Sequence, residues 1–228
     1  MKKLLAKAAA LYKKDRYQAA MTVAKRVLAI EKDKDAALFY VAHGLYYAKQ
    51  YRQSLQYWKR LKKLCPTELC VNLNMGACFD NLGESALAIK CFKRELELDP
   101  VSGKALYNLG NLYFHKHRYK LVAGYLERCY SQKHSVEAIV CKLAHSYFKT
   151  GQEENEQALY EEYLQTNPND TWALNNLGSH LMGQGKYNCA LIRLTKAARI
   201  DPNDKLVRKN IRKAQRMIKK LKKDKITG

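Results

Sequence analysis

The chain has few of the residues that break helices. Its 228 residues include 4 Pro and 11 Gly, which excludes long Gly- or Pro-rich linkers. No apolar run approaches the roughly 20 residues needed to span a bilayer, so no membrane-spanning helix is expected. Acidic residues are scarce against basic ones, 21 to 42, giving a formal charge of +21. That balance favours anionic partners (an acidic protein surface, anionic lipid or nucleic acid) and is silent about fold. Seven cysteines are present, an odd number, without a CxxC pair; Cys65 and Cys70 are the closest two. This pattern points to buried thiols in a reducing compartment rather than a disulfide framework. The spacings gather no set of four zinc ligands. A phosphate-binding Gly-rich loop, HExxH and GxSxG are missing as well. Neither catalysis nor a cofactor nor a metal is expected.

The chain opens on MKKLLAKAAALYKK. Lys7 interrupts the apolar run, and the stretch from Ala8 to Tyr12 is too short for the core of a secretory signal. The expected location is therefore cytoplasmic.

What the sequence does have is a period. Pro66, Pro100, Pro168 and Pro202, all the prolines of the chain, are separated by 34, 68 and 34 residues. Extending that register gives units 1–34, 35–68, 69–102, 103–136, 137–170 and 171–204, with no residues to spare between them. The eighth place is then Ala8, Ala42, Gly76, Gly110, Ala144 and Gly178, where a small residue lets two helices approach closely. The eleventh is Leu11, Leu45, Phe79, Tyr113, Tyr147 and Leu181, all large and apolar or aromatic. The twenty-fourth is Ala24, Trp58, Phe92, Leu126, Tyr160 and Leu194. Spacings of this kind suit a pair of amphipathic helices. Turn signals lie between the two helices, as in Asn81-Leu82-Gly83-Glu84, Thr150-Gly151-Gln152 and Gln184-Gly185-Lys186, where Gly can take the left-handed conformation that ends a helix. Asp99-Pro100 and Asp201-Pro202 stop the second helix, because proline cannot continue the hydrogen-bond ladder.

The segment Ala105–Phe114, ALYNLGNLYF, and the unit Thr171–Asp204 resemble the tetratricopeptide repeat consensus, as does Ala77–Pro100. The resemblance extends over about nine-tenths of the chain. It implies an all-α fold: a right-handed superhelix of six helix-turn-helix repeats forming a single solenoid over 1–204, with first helices lining a concave face. Two units depart from the pattern. The fifth has Glu153 at an aromatic place and Glu156 at a small-residue place, so its second helix is expected to be shifted or loosened. The first has Lys7 at an apolar place and Lys32 at the proline place, and terminal repeats are commonly atypical.

The resemblance also implies where a ligand is held. The family's contact places fall on Phe39, Tyr40, His43, Tyr46 and Tyr47 in the second unit and on Asn74 in the third. In the fourth they fall on Lys104, Tyr107, Asn108 and Asn111. The fifth unit offers Lys142 and His145, and the sixth Trp172, Asn175 and Asn176. Aromatics give large contact area at low entropic cost, and an Asn amide can both donate to and accept from a peptide backbone. A family subgroup clamps a C-terminal carboxylate; only Asn74 and Lys104 match its pattern here, so that clamp is not expected. His43 and His145 are read as binding contacts, His115 and His117 as a polar turn, and Cys129 as core.

Residues 205–228 form a closing segment. Val207, Ile211, Ala214, Ile218 and Leu221 recur every three or four residues, one stripe of an amphipathic helix. Arg208, Lys209, Arg212, Lys213, Arg216, Lys219 and Lys220 occupy its other faces. Formal charge is about +10 for residues 205–228 and about −5 for residues 137–170. The sequence therefore reads as a scaffold or adaptor binding a protein or peptide partner in its groove, with self-association of the acidic unit and a basic end as a further contact. The alternative is an adaptor that meets nucleic acid or an anionic membrane through the closing helix. The helix has no aromatic to stack on bases, which weighs against it.

Overall fold

The computed structural model describes residues 1–67, 70–132 and 137–227, and the side chains among them up to residue 224. Among the described residues there are thirteen helices and no strand. The chain divides into two compact units, Met1–Gln132 and Lys133–Gly228. The first contains α1 (Lys2–Tyr12), α2 (Tyr17–Leu28), α3 (Asp35–Tyr47), α4 (Tyr51–Leu64), α5 (Val71–Asn81), α6 (Ser85–Leu98), α7 (Gly103–His115) and α8 (Tyr119–Tyr130). The second contains α9 (Glu137–Thr150), α10 (Glu153–Thr166), α11 (Thr171–Gly183), α12 (Tyr187–Ile200) and α13 (Lys205–Thr227). The all-α, paired-helix architecture expected from the period is what the structure has.

The period is sharpest at the second helices, which begin at Tyr17, Tyr51, Ser85, Tyr119, Glu153 and Tyr187, always the seventeenth place. The turn before them explains why. The fifteenth place has positive φ in every unit: Asp15, Lys49, Gly83, His117, Gly151 and Gly185, between 55° and 78°. The following N–H donates to the carbonyl of the eleventh residue in all six, as in Gln50 to Leu45 at 2.9 Å and Arg118 to Tyr113 at 3.0 Å. This is a left-handed C-terminal cap that satisfies an otherwise orphaned helix carbonyl. Three of the six places hold a residue with a Cβ. Lys49 is exposed, so Lys49→Gly removes left-handed strain without removing packing. It should raise unfolding free energy by roughly 0.5–1 kcal/mol in urea titration.

Helices pair because small residues face large ones. A Cβ added to Gly110 would come 2.4 Å from Leu126, and one added to Gly44 would come 2.4 Å from Met21 and 2.9 Å from the Tyr17 carbonyl. The twenty-fourth place is buried in every unit, with Trp58, Phe92, Leu126 and Leu194 fully enclosed. In the first unit α2 packs on α3, α4 on α5 and α6 on α7, and the first helices touch directly, α1 with α3 and α5 with α7. In the second unit α10 packs on α11 and α12 on α13.

Two expectations change. The fifth repeat's second helix is not shifted: α10 begins at Glu153, in register with the other five. Its irregular residue, Glu156, is instead buried. The thiols are also less uniform than their apolar neighbours suggested. Cys78, Cys91 and Cys129 are buried, but Cys141 and Cys189 are exposed. Burial pushes the Cys78 thiol up to about 11, which leaves it protonated and unreactive.

The closing helix docks by part of its stripe. Val207 and Ala214 are buried, and Val207 joins Leu174 and Ala197 with Ile211 alongside. Asn210 Nδ2 donates to Asn175 Oδ1 at 2.9 Å and to Ser179 Oγ at 3.2 Å. Leu221 is 46 % exposed, so the docked stripe ends before it. Among the described residues no helix is long and apolar enough to cross a membrane.

Candidate functional site

The first unit carries a cavity of about 390 Å³ lined by residues of its first helices. Tyr12 comes from α1, Phe39, His43, Tyr46 and Tyr47 from α3, and Leu73, Asn74 and Ala77 from α5. Lys104, Tyr107 and Asn108 come from α7, and Cys70 sits just before α5. Side chains at helical spacing on adjacent helices converge because α1 lies against α3 and α5 against α7. Eight expected contact residues therefore line one cavity: Phe39, His43, Tyr46, Tyr47, Asn74, Lys104, Tyr107 and Asn108.

The cavity is aromatic at one end and amide-and-cation at the other. Tyr12 is the hub of the aromatic end, its ring centre 5.4 Å from Phe39, 5.2 Å from His43 and 5.5 Å from Tyr40. Edge-to-face pairs at such distances fix ring orientations. Trp58, fully buried, closes the floor with its ring 5.7 Å from Phe39 and 5.0 Å from His43. Tyr47 is half exposed and stacks on Tyr17 at 3.8 Å. At the far end, Asn74 Nδ2 donates to the Cys70 carbonyl at 2.7 Å, which fixes the amide and leaves its Oδ1 as an acceptor. Asn81 Nδ2 donates to the Tyr46 hydroxyl at 3.2 Å, tying α5 to α3.

His43 is the buried titratable group of this cavity. Its Nε2 lies 3.5 Å from the Tyr12 hydroxyl, and its Nδ1 is buried without a hydrogen-bond partner. Burial foremost, and then the Lys104 charge, lowers its pKa from 6.5 to about 4. Burial in an apolar setting disfavours the imidazolium, so the ring is neutral at pH 7. The folded state thus binds fewer protons than the unfolded chain between pH 6.5 and 4. The stability this contributes is fully present above pH 6.5 and is lost as pH falls towards 4, with a slope of at most about 1.4 kcal/mol per pH unit. His43→Phe should flatten that slope in urea titrations run from pH 7 to pH 4.

Other expected residues fall elsewhere. Tyr40 packs with the core of α2 and α3, and Asn111 lies on α7 outside the cavity lining. In the second unit Trp172 sits edge-on to Tyr160 at 5.8 Å. Asn176 lines a separate cavity there, while Lys142 and His145 lie half-buried on α9. Asn175 is buried and spent on holding α13. Arg208, Lys209, Arg212, Lys213, Arg216, Lys219 and Lys220 are all exposed on α13. Tyr12 was not among the expected contacts: it holds the twelfth place of its repeat, the same contact place as Tyr46, but lies in the atypical first repeat.

Comparison with known proteins agrees with the repeated paired-helix fold. A family model described as tetratricopeptide repeat matches residues 71–102 and 138–170. A BBSome complex member, BBS4 of Xenopus tropicalis, is 28% identical over 118 residues. That match takes in 52% of this chain and 23% of the relative, so the chain spans about a quarter of that protein's length. Among solved structures, the C-terminal part of a TPR repeat-containing protein from Cytophaga hutchinsonii superposes with a TM-score of 0.77 at 15% identity, over 97% of this chain and 90% of that one. YrrB, described as a TPR protein with an unusual peptide-binding site, superposes with a TM-score of 0.67 at 17% identity, over 81% and 95%. At such identities the superpositions speak for the fold. That fold of stacked helix pairs, together with the family match, supports a protein-interaction scaffold.

Proposed function

We propose that this chain, a member of the tetratricopeptide repeat superfamily, binds partner proteins by holding an extended peptide segment in the aromatic cavity of its first unit. The observation that carries the reading is the cavity itself: six aromatic or imidazole rings beside Asn74, Asn108 and Lys104 within one pocket of about 390 Å³. The rings suit an apolar or proline side chain, which brings large contact area at small entropic loss. The amides suit the peptide backbone between such side chains, since each offers a donor and an acceptor. Lys104 suits a neighbouring acidic residue or a chain terminus. The resemblance of part of the chain to a BBSome complex member lends support to a role inside a multiprotein assembly. The role is one of binding, with no chemistry assigned.

The test is selection of a displayed random peptide library on the full chain, followed by affinity measurement of a selected peptide. Replacing Tyr107 and Asn108 together by Ala should weaken that peptide at least tenfold, since each contact contributes on the order of 1–2 kcal/mol. Selected peptides that bind the double variant and the original chain equally would overturn the reading.

A further inference from the structure

We infer that the second unit carries a separate pocket, built from α9, α10 and α11, that receives the guanidinium of an arginine side chain presented by a partner protein. The pocket is a cavity of about 280 Å³ whose lining includes Phe148, Glu153, Glu156, Tyr160, His180 and Gln184. It lies wholly in the second unit and stands independently of the first-unit cavity.

Three features select the ligand. The first is charge. Two carboxylates line the pocket and no Lys or Arg does, in a chain of formal charge +21. An enclosed acidic spot on so basic a protein favours a cation.

The second is a surplus of acceptors. Glu156 is 8 % exposed, and its Oε2 lies 3.1 Å from His180 Nδ1 in a contact that falls short of hydrogen-bond geometry. Burial, acting ahead of the favourable His180 contact, pushes its carboxyl pKa up. A buried carboxylate with one off-line contact has unused capacity, since it can accept about four hydrogen bonds. Gln184 Oε1 is likewise buried without a partner. The other half of that amide is engaged: Gln184 Nε2 lies 2.9 Å from His180 Nε2. An amide NH₂ only donates, so His180 Nε2 accepts and the proton of the neutral ring sits on Nδ1, facing Glu156. His180 therefore orders both acceptors without neutralising either.

The third is shape. Phe148 stands 64 % exposed at the pocket and Tyr160 is buried within it. Aromatic faces next to acceptors suit a planar, stackable cation with five donors better than a compact ammonium. Lys149 already stands near the Phe148 ring, its Nζ 5.8 Å from the ring centre. It is exposed and outside the pocket lining, so an incoming arginine displaces a loosely held contact.

The experiment titrates the full chain with N-acetyl-arginine amide and follows the imidazole resonances of His180 by NMR. The expected result is a saturable shift with half-saturation on the order of millimolar, the range for a single side chain. His43, in the other unit, should not move. N-acetyl-citrulline amide, the neutral isostere, should bind at least about tenfold more weakly, as should arginine to Glu156→Gln. Because Glu156 is buried, Gln184→Leu serves as a second variant at a half-exposed position; it should weaken arginine several-fold. Phe148→Ala should do the same through loss of stacking. A shift that does not saturate, equal binding of citrulline and arginine, equal binding of N-acetyl-lysine amide, or variants that bind like the original chain would each overturn the assignment.

Discussion

Replacing Trp58 by Ala should cost about 3–5 kcal/mol of unfolding free energy, the largest loss expected from a single side chain in the first unit. Trp58 is fully buried, at the twenty-fourth place of the second repeat, in a core that includes Leu38, Leu55, Leu61 and Phe92. Its removal leaves a void that the close-packed surroundings cannot fill. The indole N–H has no hydrogen-bond partner, so packing carries the residue's contribution. This gives a second arm: Trp58→Phe loses volume but no hydrogen bond and should cost only about 1–2 kcal/mol. Urea titration of both variants measures the difference. A loss below about 1 kcal/mol for Trp58→Ala would show that the residue is not enclosed as described. The same change removes the floor under Phe39 and His43, so the cavity's ligand should be lost together with the stability.

Glu95→Ala should cost about 2–4 kcal/mol through a different mechanism. Glu95 is 2 % exposed, on α6, and its two oxygens accept from the backbone N–H groups of Cys70 at 2.9 Å and Leu73 at 3.2 Å. Those amides open α5, where first-turn donors have no partner inside the helix. A carboxylate there also lies at the positive end of the helix dipole. Removing it leaves two half-buried N–H groups without their charged acceptor. Glu95→Gln keeps one acceptor and turns the other into a donor facing a donor, so it should rescue only part of the loss. Full rescue by Gln in urea titration would mean that the charge and the second oxygen do nothing. Cys70, Leu73 and Asn74 line the cavity, so loosening the start of α5 should also reduce peptide affinity.

The architecture was legible in the sequence because every repeat meets the same packing problem at the same place. Small residues at the eighth place, large ones at the twenty-fourth in all but the first repeat, and a left-handed fifteenth recur with one period, and the repetition makes the pattern plain even where Lys49 or His117 replaces glycine. The cavity was legible for the same reason, since Phe39, His43, Asn74 and Asn108 hold fixed places on first helices. What the period hid were the contacts that break it. Glu156 stands at a place otherwise held by Ala, Ser or Val and read as a local weakness. Its partner, His180, is 24 residues on, in the next repeat, where no spacing rule joins them. Glu95 has no place in the repeat pattern, and only its contacts with the start of α5 show it to be a cap. Asn175 read as a groove amide, yet α13 covers it through Asn210, a contact specific to the last repeat.

The central claim is that first helices of the first unit, rather than second helices, receive the partner peptide. Hydrogen exchange on the full chain, with and without a saturating selected peptide, tests it most directly. The expected result is added protection in α3, α5 and α7, concentrated around His43, Asn74 and Asn108, with α4, α6 and α8 unchanged. Protection confined to α4, α6 and α8, or none in this unit while the peptide is bound, would contradict it.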